Sequence, residues 1–99
     1  MGFDFDYPPP ELEARIVATE TGISLADAVR LVKIGGTARA LKGHGLDEGI
    51  STRLLVYAAT LMQGEVAAVD ACRMALVRPI TDDADIRATL DNAIDAVFG

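Results

Sequence analysis

Tryptophan is absent, cysteine occurs once, and the aromatic side chains amount to two tyrosines and three phenylalanines. A buried core must therefore be built from Leu, Ile, Val, Ala and Met, which suits packed helices better than a sandwich of sheets. The lone Cys72 excludes an internal disulfide and points to a reducing, cytoplasmic compartment. Runs of lysine or arginine are missing too, and the net charge is -6. An acidic surface repels phosphate backbones and anionic membranes, so neither nucleic acid nor a lipid surface is an expected partner. The longest apolar stretch, Leu54 to Met62 interrupted by Thr60, is far too short to span a bilayer. Met1 to Asp6 lacks the basic start and apolar centre of a secretory leader. Met1-Gly2 has the look of an appended start, as on a piece excised from a longer protein.

What is present is a chain of 99 residues, 51% of them hydrophobic, enough for one modest domain with a core of its own. Phe3-Asp4-Phe5-Asp6-Tyr7 alternates strictly, with aromatics on one face and acids on the other, and so reads as a strand. No later segment offers it a partner, and a single strand cannot satisfy its own backbone hydrogen bonds. It is an orphan.

Pro8-Pro9-Pro10 ends that strand and opens a first helix from Pro10 to Thr21, with Leu12, Ile16 and Val17 as its buried stripe and Gly22 as its cap. Ser24 is placed to cap a second helix, with Asp27 completing a variant capping box. Leu25, Ala28, Val29, Val32 and Leu41 keep the helical period there. Gly35 and Gly36 fall inside it and mark either a kink or a close approach of another helix. Gly43 to Gly49 is a glycine-rich loop. A third helix, Ser51 to Gln63, is apolar nearly all round and is expected to be the central buried one, ending at Gly64. A fourth covers Val66 to Val77, burying Val69, Cys72, the Arg73 stem and Leu76, until Pro79 stops it. The acids Asp82-Asp83 favour the start of a fifth helix, whose stripe is Ile86, Leu90, Ala93, Ile94 and Val97. The fold class is all-α, a small bundle of about five helices behind an orphan strand-like segment.

Catalytic constellations are missing. One histidine and one cysteine cannot make a metal site at the usual spacings. There is no GxxxxGK[ST] phosphate loop, Lys42-Gly43 being in the wrong order, and no GxSxG elbow. One feature invites chemistry: Gly49-Ile50-Ser51-Thr52-Arg53 puts two hydroxyls and a guanidinium at the start of the third helix. Free N–H groups and the positive dipole end favour an anion there, while a cation on that end is locally unfavourable unless a phosphate arrives. The plainer reading pairs Arg53 with Asp47 or Glu48. His44 between glycines reads as a solvated loop residue, Cys72, Met62 and Met74 as core, Asp82, Asp83 and Asp85 as a helix-start cluster, and Arg73 and Arg78 as surface ion-pair partners.

Several segments, in order, resemble a known family. Phe5-Asp6-Tyr7-Pro8-Pro9-Pro10-Glu11-Leu12-Glu13, Gly43-His44-Gly45-Leu46, Gly49-Ile50-Ser51-Thr52-Arg53-Leu54-Leu55-Val56-Tyr57-Ala58 and Ala75-Leu76-Val77-Arg78-Pro79-Ile80-Thr81-Asp82-Asp83 are similar to the C-terminal region of the CbbQ/NirQ/NorQ ATPases, in the MoxR branch of the AAA+ superfamily. The resemblance implies that residues 10–99 form the helical lid, and that residues 1–9 are the remnant of the last ATPase-core strand with its linker. It implies that Arg53 is the sensor 2 residue reaching nucleotide phosphates, with Ser51 and Thr52 shaping the helix start. ATP and Mg would bind the longer protein, with no cofactor in the isolated domain. The implied partners are the chain's own ATPase core, neighbouring ring subunits and a protein carrying a von Willebrand factor A domain. The implied work is remodelling of a target such as Rubisco or nitric oxide reductase. Walker A, Walker B, sensor 1 and arginine finger have no counterpart in the 99 residues, so hydrolysis by this chain alone is not expected. The competing reading is a stand-alone helical module that binds a partner helix in an exposed apolar groove. A helix-turn-helix regulator is disfavoured because the third helix carries Arg53 as its only basic residue.

Overall fold

The computed structural model describes residues 9–40 and 51–98, and every regular element among them is helical. The alternating segment at Phe3–Tyr7, Leu41, and the loop with His44, Asp47 and Glu48 lie outside the described residues. The elements are α1 (Pro10–Thr21), α2 (Leu25–Ala40), α3 (Thr52–Gln63), α4 (Ala68–Cys72) running on into a π-helical turn (Arg73–Val77), and α5 (Ala84–Phe98).

The helix ends follow the local chemistry of the sequence. Pro10 opens α1, and Gly22 closes it in the left-handed region at φ 83. The Ser24 hydroxyl accepts from the Asp27 amide at 3.2 Å, so the expected cap on α2 is present. Asp27 does not complete a capping box; its carboxylate pairs outward with Arg30 at 3.0 Å. Asp83 accepts from the amides of Asp85 and Ile86 at 2.8 and 3.1 Å and so caps α5, with Asp85 in its first turn.

The end of α3 differs from expectation in an instructive way. Gly64 follows the helix, but its φ is -84, and the left-handed residue is Glu65 at φ 73. The Val66 amide reaches back to the Leu61 carbonyl and the Glu65 amide to that of Met62, both at 3.0 Å. This is a Schellman closure with glutamate in the position that glycine fills at least cost.

Burial corrects several assignments. On α1 the buried side chains are Glu13, Ala14 and Val17, whereas Leu12 is exposed. On α2, Leu25 and Val29 face out, and Ala28, Leu31, Val32, Ile34 and Ala38 face in. The stripe is thus rotated relative to the one expected, because small alanines take inward positions where helices touch closely. Burial is deeper on α2 than on α3: on α3 only Leu55, Ala58 and Ala59 are buried, and Tyr57 is exposed. An apolar helix surface can exceed what its neighbours cover.

Glycines 35 and 36 do not interrupt α2. Gly35 is buried, and a Cβ there would lie 3.5 Å from both terminal carbons of Leu55, so it marks the close approach of α3; Gly36 faces open space. The fourth helix starts at Ala68 rather than Val66 and changes pitch after Cys72, with the Arg78 amide bonded to the Arg73 carbonyl five residues back. The widened turn lets Cys72, Leu76 and Val77 all face the core. Met74, expected inside, is exposed on that turn. Ile86, Leu90 and Ile94 of α5 complete the core, with Val97 partly buried against it.

Two cross-links orient the helices that frame the site. Glu13, in the first turn of α1, bonds to Thr52 at the start of α3. The Gln63 amide at the end of α3 donates to the Thr21 carbonyl at the end of α1, at 3.0 Å. Start meets start and end meets end, so α1 and α3 run parallel. Since α2 returns its last turn to Glu13 through Arg39, it runs antiparallel to both.

The two left-handed positions should respond to substitution with opposite signs. Glu65→Gly relieves a strained backbone and is expected to stabilise by roughly 0.5–1 kcal/mol after the added freedom of the unfolded chain is subtracted. Gly22→Ala adds strain there, and its Cβ would meet the Gln63 amide nitrogen at 2.8 Å, so a loss of about 1 kcal/mol or more is expected. Urea denaturation midpoints of the two variants check both signs.

Candidate functional site

Three helix ends converge around one carboxylate. Glu13 is wholly buried, and its two oxygens accept a fork from Arg39, Nη1 to Oε1 at 2.8 Å and Nη2 to Oε2 at 2.7 Å. The Thr52 hydroxyl donates to Oε2 as well. Each group suits its place. Glu13 is an acid in the first turn of α1, Arg39 a base in the last turn of α2, and the start of α3 has no acid of its own in its first turn.

Burial by itself pushes the Glu13 carboxyl upward. The hydrogen bonds from Arg39 and Thr52 and the charge of Arg39 outweigh that push and hold it below its ordinary value of 4.5. The group is therefore ionised at neutral pH, and its charge is answered inside the fold by Arg39.

On the solvent side of this cluster lies the candidate anion site. Ser51 sits in extended backbone as N-cap of α3, its hydroxyl accepting from the Leu54 amide at 3.3 Å. Thr52 is half-buried and directed at Glu13, while Arg53 is exposed and makes no ion pair among the described residues. Its sequence-level alternatives, Asp47 and Glu48, lie outside the described residues. The structure thus brings Ser51, Thr52 and Arg53 to one helix N-terminus and divides their labour. Ser51 caps, Thr52 anchors inward, and Arg53 points its donors outward. A guanidinium beside a helix start can take a phosphate oxygen, with Arg39 keeping the nearby carboxylate from opposing it.

Glu13 and Arg39 were not expected at a site. A buried acid looks like a surface acid in a sequence. The available signal was that Glu13 precedes Val17 by one helical turn and so shares its inward face.

The other candidates resolve as structural groups. Cys72 is buried, and burial pushes its thiol up to about 12, far from a reactive thiolate. Arg73 pairs with Asp91 at 3.3 Å and approaches Asp95 at 4.0 Å, whereas Arg78 is exposed and has no ion pair among the described residues. Met62 is partly buried against the core. No described helix is long and apolar enough to cross a membrane.

Comparison with known proteins agrees with this architecture. The family model described as CbbQ/NirQ/NorQ C-terminal matches residues 13–97. Protein CbbQ of Hydrogenophilus thermoluteolus is 56% identical over 95 residues, covering 96% of this chain and 36% of that protein. Protein NorQ of Paracoccus denitrificans (strain Pd 1222) is 40% identical over 99 residues, covering 100% of this chain and 37% of the relative. The denitrification regulatory protein NirQ of Pseudomonas aeruginosa is 43% identical over 91 residues, covering 92% and 35%. The chain spans little more than a third of the length of these relatives.

The lowered carboxyl gives a pH signature. Because Glu13 titrates lower folded than unfolded, its stabilisation is complete above the unfolded value and is lost as pH falls through the folded one. Glu13→Gln should cost about 2–3 kcal/mol at neutral pH and progressively less as pH falls below the ordinary carboxyl range, flattening the acid limb of stability against pH. Denaturant melts of both proteins across that range measure the difference.

Proposed function

This chain belongs to the CbbQ/NirQ/NorQ family of AAA+ proteins, as a C-terminal domain of that family, and we propose that it serves as the helical lid of an ATPase, with Arg53 as the sensor 2 residue that feels the nucleotide phosphates. The observation that carries this reading is the position of Arg53. It stands exposed at a capped helix N-terminus, without an ion pair among the described residues, although a cation there opposes the helix dipole. An incoming phosphate reverses that penalty. Ser51 holds the helix start by capping it, and Thr52 holds it by anchoring to Glu13.

One arginine and one helix end supply only a small part of phosphate recognition, so ATP and Mg would be bound chiefly by the ATPase core of the longer protein. That core, neighbouring subunits of a ring and a protein with a von Willebrand factor A domain are the proposed partners, in the cytoplasm. The proposed outcome is ATP-driven remodelling or activation of a target enzyme such as Rubisco or nitric oxide reductase. The relative named as a denitrification regulatory protein fits the second kind of target.

A second reading, a helical module that binds a partner helix, draws support from one feature. An apolar groove of about 290 Å³ lies between α1 and α2, lined by Pro10, Val29, Val32 and Gly36, with Glu11 and Lys33 at its sides. Binding of an apolar helix that Val29→Asp abolishes, with Arg53→Ala leaving ATP turnover untouched, would favour this reading.

The lid reading predicts that Arg53→Ala, made in the longer ATPase, lowers ATP turnover by about tenfold or more, since it removes a charge-assisted phosphate contact. The same change in this chain should shift stability by less than about 0.5 kcal/mol, because the side chain is exposed. Steady-state hydrolysis and thermal melts together test it, and full hydrolysis in the variant would refute the sensor role.

A further inference from the structure

Arg53 is next in sequence to a residue that is tied to another helix. Thr52, the first residue of α3, gives its hydroxyl proton to the Glu13 carboxylate, which Arg39 grips at both oxygens. Glu13 itself lies in the first turn of α1, its amide bonded to the Pro9 carbonyl at 2.9 Å. The path from Pro9, where the chain enters the domain, to Arg53 therefore runs through one helical turn, one carboxylate and one hydroxyl. A short path of charge-assisted hydrogen bonds centred on a buried carboxylate resists deformation far better than an exposed turn.

We propose that Glu13 is a positioning residue for Arg53: it locks the start of α3 to the start of α1, so that the guanidinium keeps a set direction relative to the first turn of α1. This inference rests on the sensor reading of Arg53 and adds to it the group that aims the sensor. Arg39 serves the same end by holding the carboxylate ionised and in one rotamer. A purely structural clamp would affect turnover whether or not Arg53 is present; a positioning group acts only through it.

The test is a double-mutant cycle in the longer ATPase, reading KM for ATP and kcat for Glu13→Gln, Arg53→Ala and the pair. Glu13→Gln is isosteric and keeps an acceptor facing Arg39. It is expected to raise KM by about threefold or more in the parent and to have no further effect once Arg53 is alanine, as expected of two residues coupled through one arrangement. Thr52→Val cuts only the link to α3, leaving Glu13 and Arg39 paired, and should act in the same direction, with Thr52→Ser recovering most of the loss. These two variants give the answer if Glu13→Gln folds poorly. Equal effects of Glu13→Gln in both backgrounds would overturn the positioning role and leave the sensor reading standing. An Arg53→Ala enzyme with unchanged KM and kcat would overturn the sensor reading, and the positioning role with it.

Discussion

The structure depends on one buried charge and the two groups that answer it. Removing the Glu13 carboxylate from water is costly, and the cost is met only because Arg39 supplies a two-pronged contact and Thr52 a third donor. Those donors come from the end of α2 and the start of α3, so three helices must be brought together before the carboxylate can be buried at all. Apolar packing among alanine, leucine and isoleucine faces is less directional than hydrogen bonding. The polar cluster is more exacting, since its hydrogen bonds tolerate little error in distance or angle. We read it as the contact that selects one arrangement of α1, α2 and α3 from several that the core would accept.

The division of labour at the start of α3 follows from the same constraint. Adjacent helical residues point in different directions, so in Ser51-Thr52-Arg53 one side chain can cap, the next reach inward and the third face solvent. Were the carboxylate unpaired, its field would oppose any anion approaching that helix end. Arg39 removes that conflict while leaving Arg53 outside the fold.

Much of this was legible in the residues. Helix ends marked by Pro10, Gly22, Ser24, Ser51 and Asp83 fall where proline, glycine and short polar side chains place them, because capping is a local matter. Inward faces were harder to read. Leu12, Leu25 and Val29 are large and apolar yet exposed, while Ala14, Ala28 and Ala38 are inside, since side-chain size gives way to how closely two backbones approach. The Glu13 cluster spans 39 positions between Glu13 and Thr52, and no local pattern announces a partnership at that separation. The change to π pitch after Cys72 likewise has no local marker; it shows in which residues are buried together.

Parallel α1 and α3, each twelve residues long and tied to one another at both ends, behave as a single plank. Such a plank is roughly 18 Å long at 1.5 Å per residue. The polypeptide joins it at Pro9, on the same end as Arg53. If the domain swings about that junction, Thr21 and Gln63 sweep a wide arc while Arg53 barely travels. On the proposed lid reading, a large excursion at the distal rim would then correspond to a small adjustment at the guanidinium.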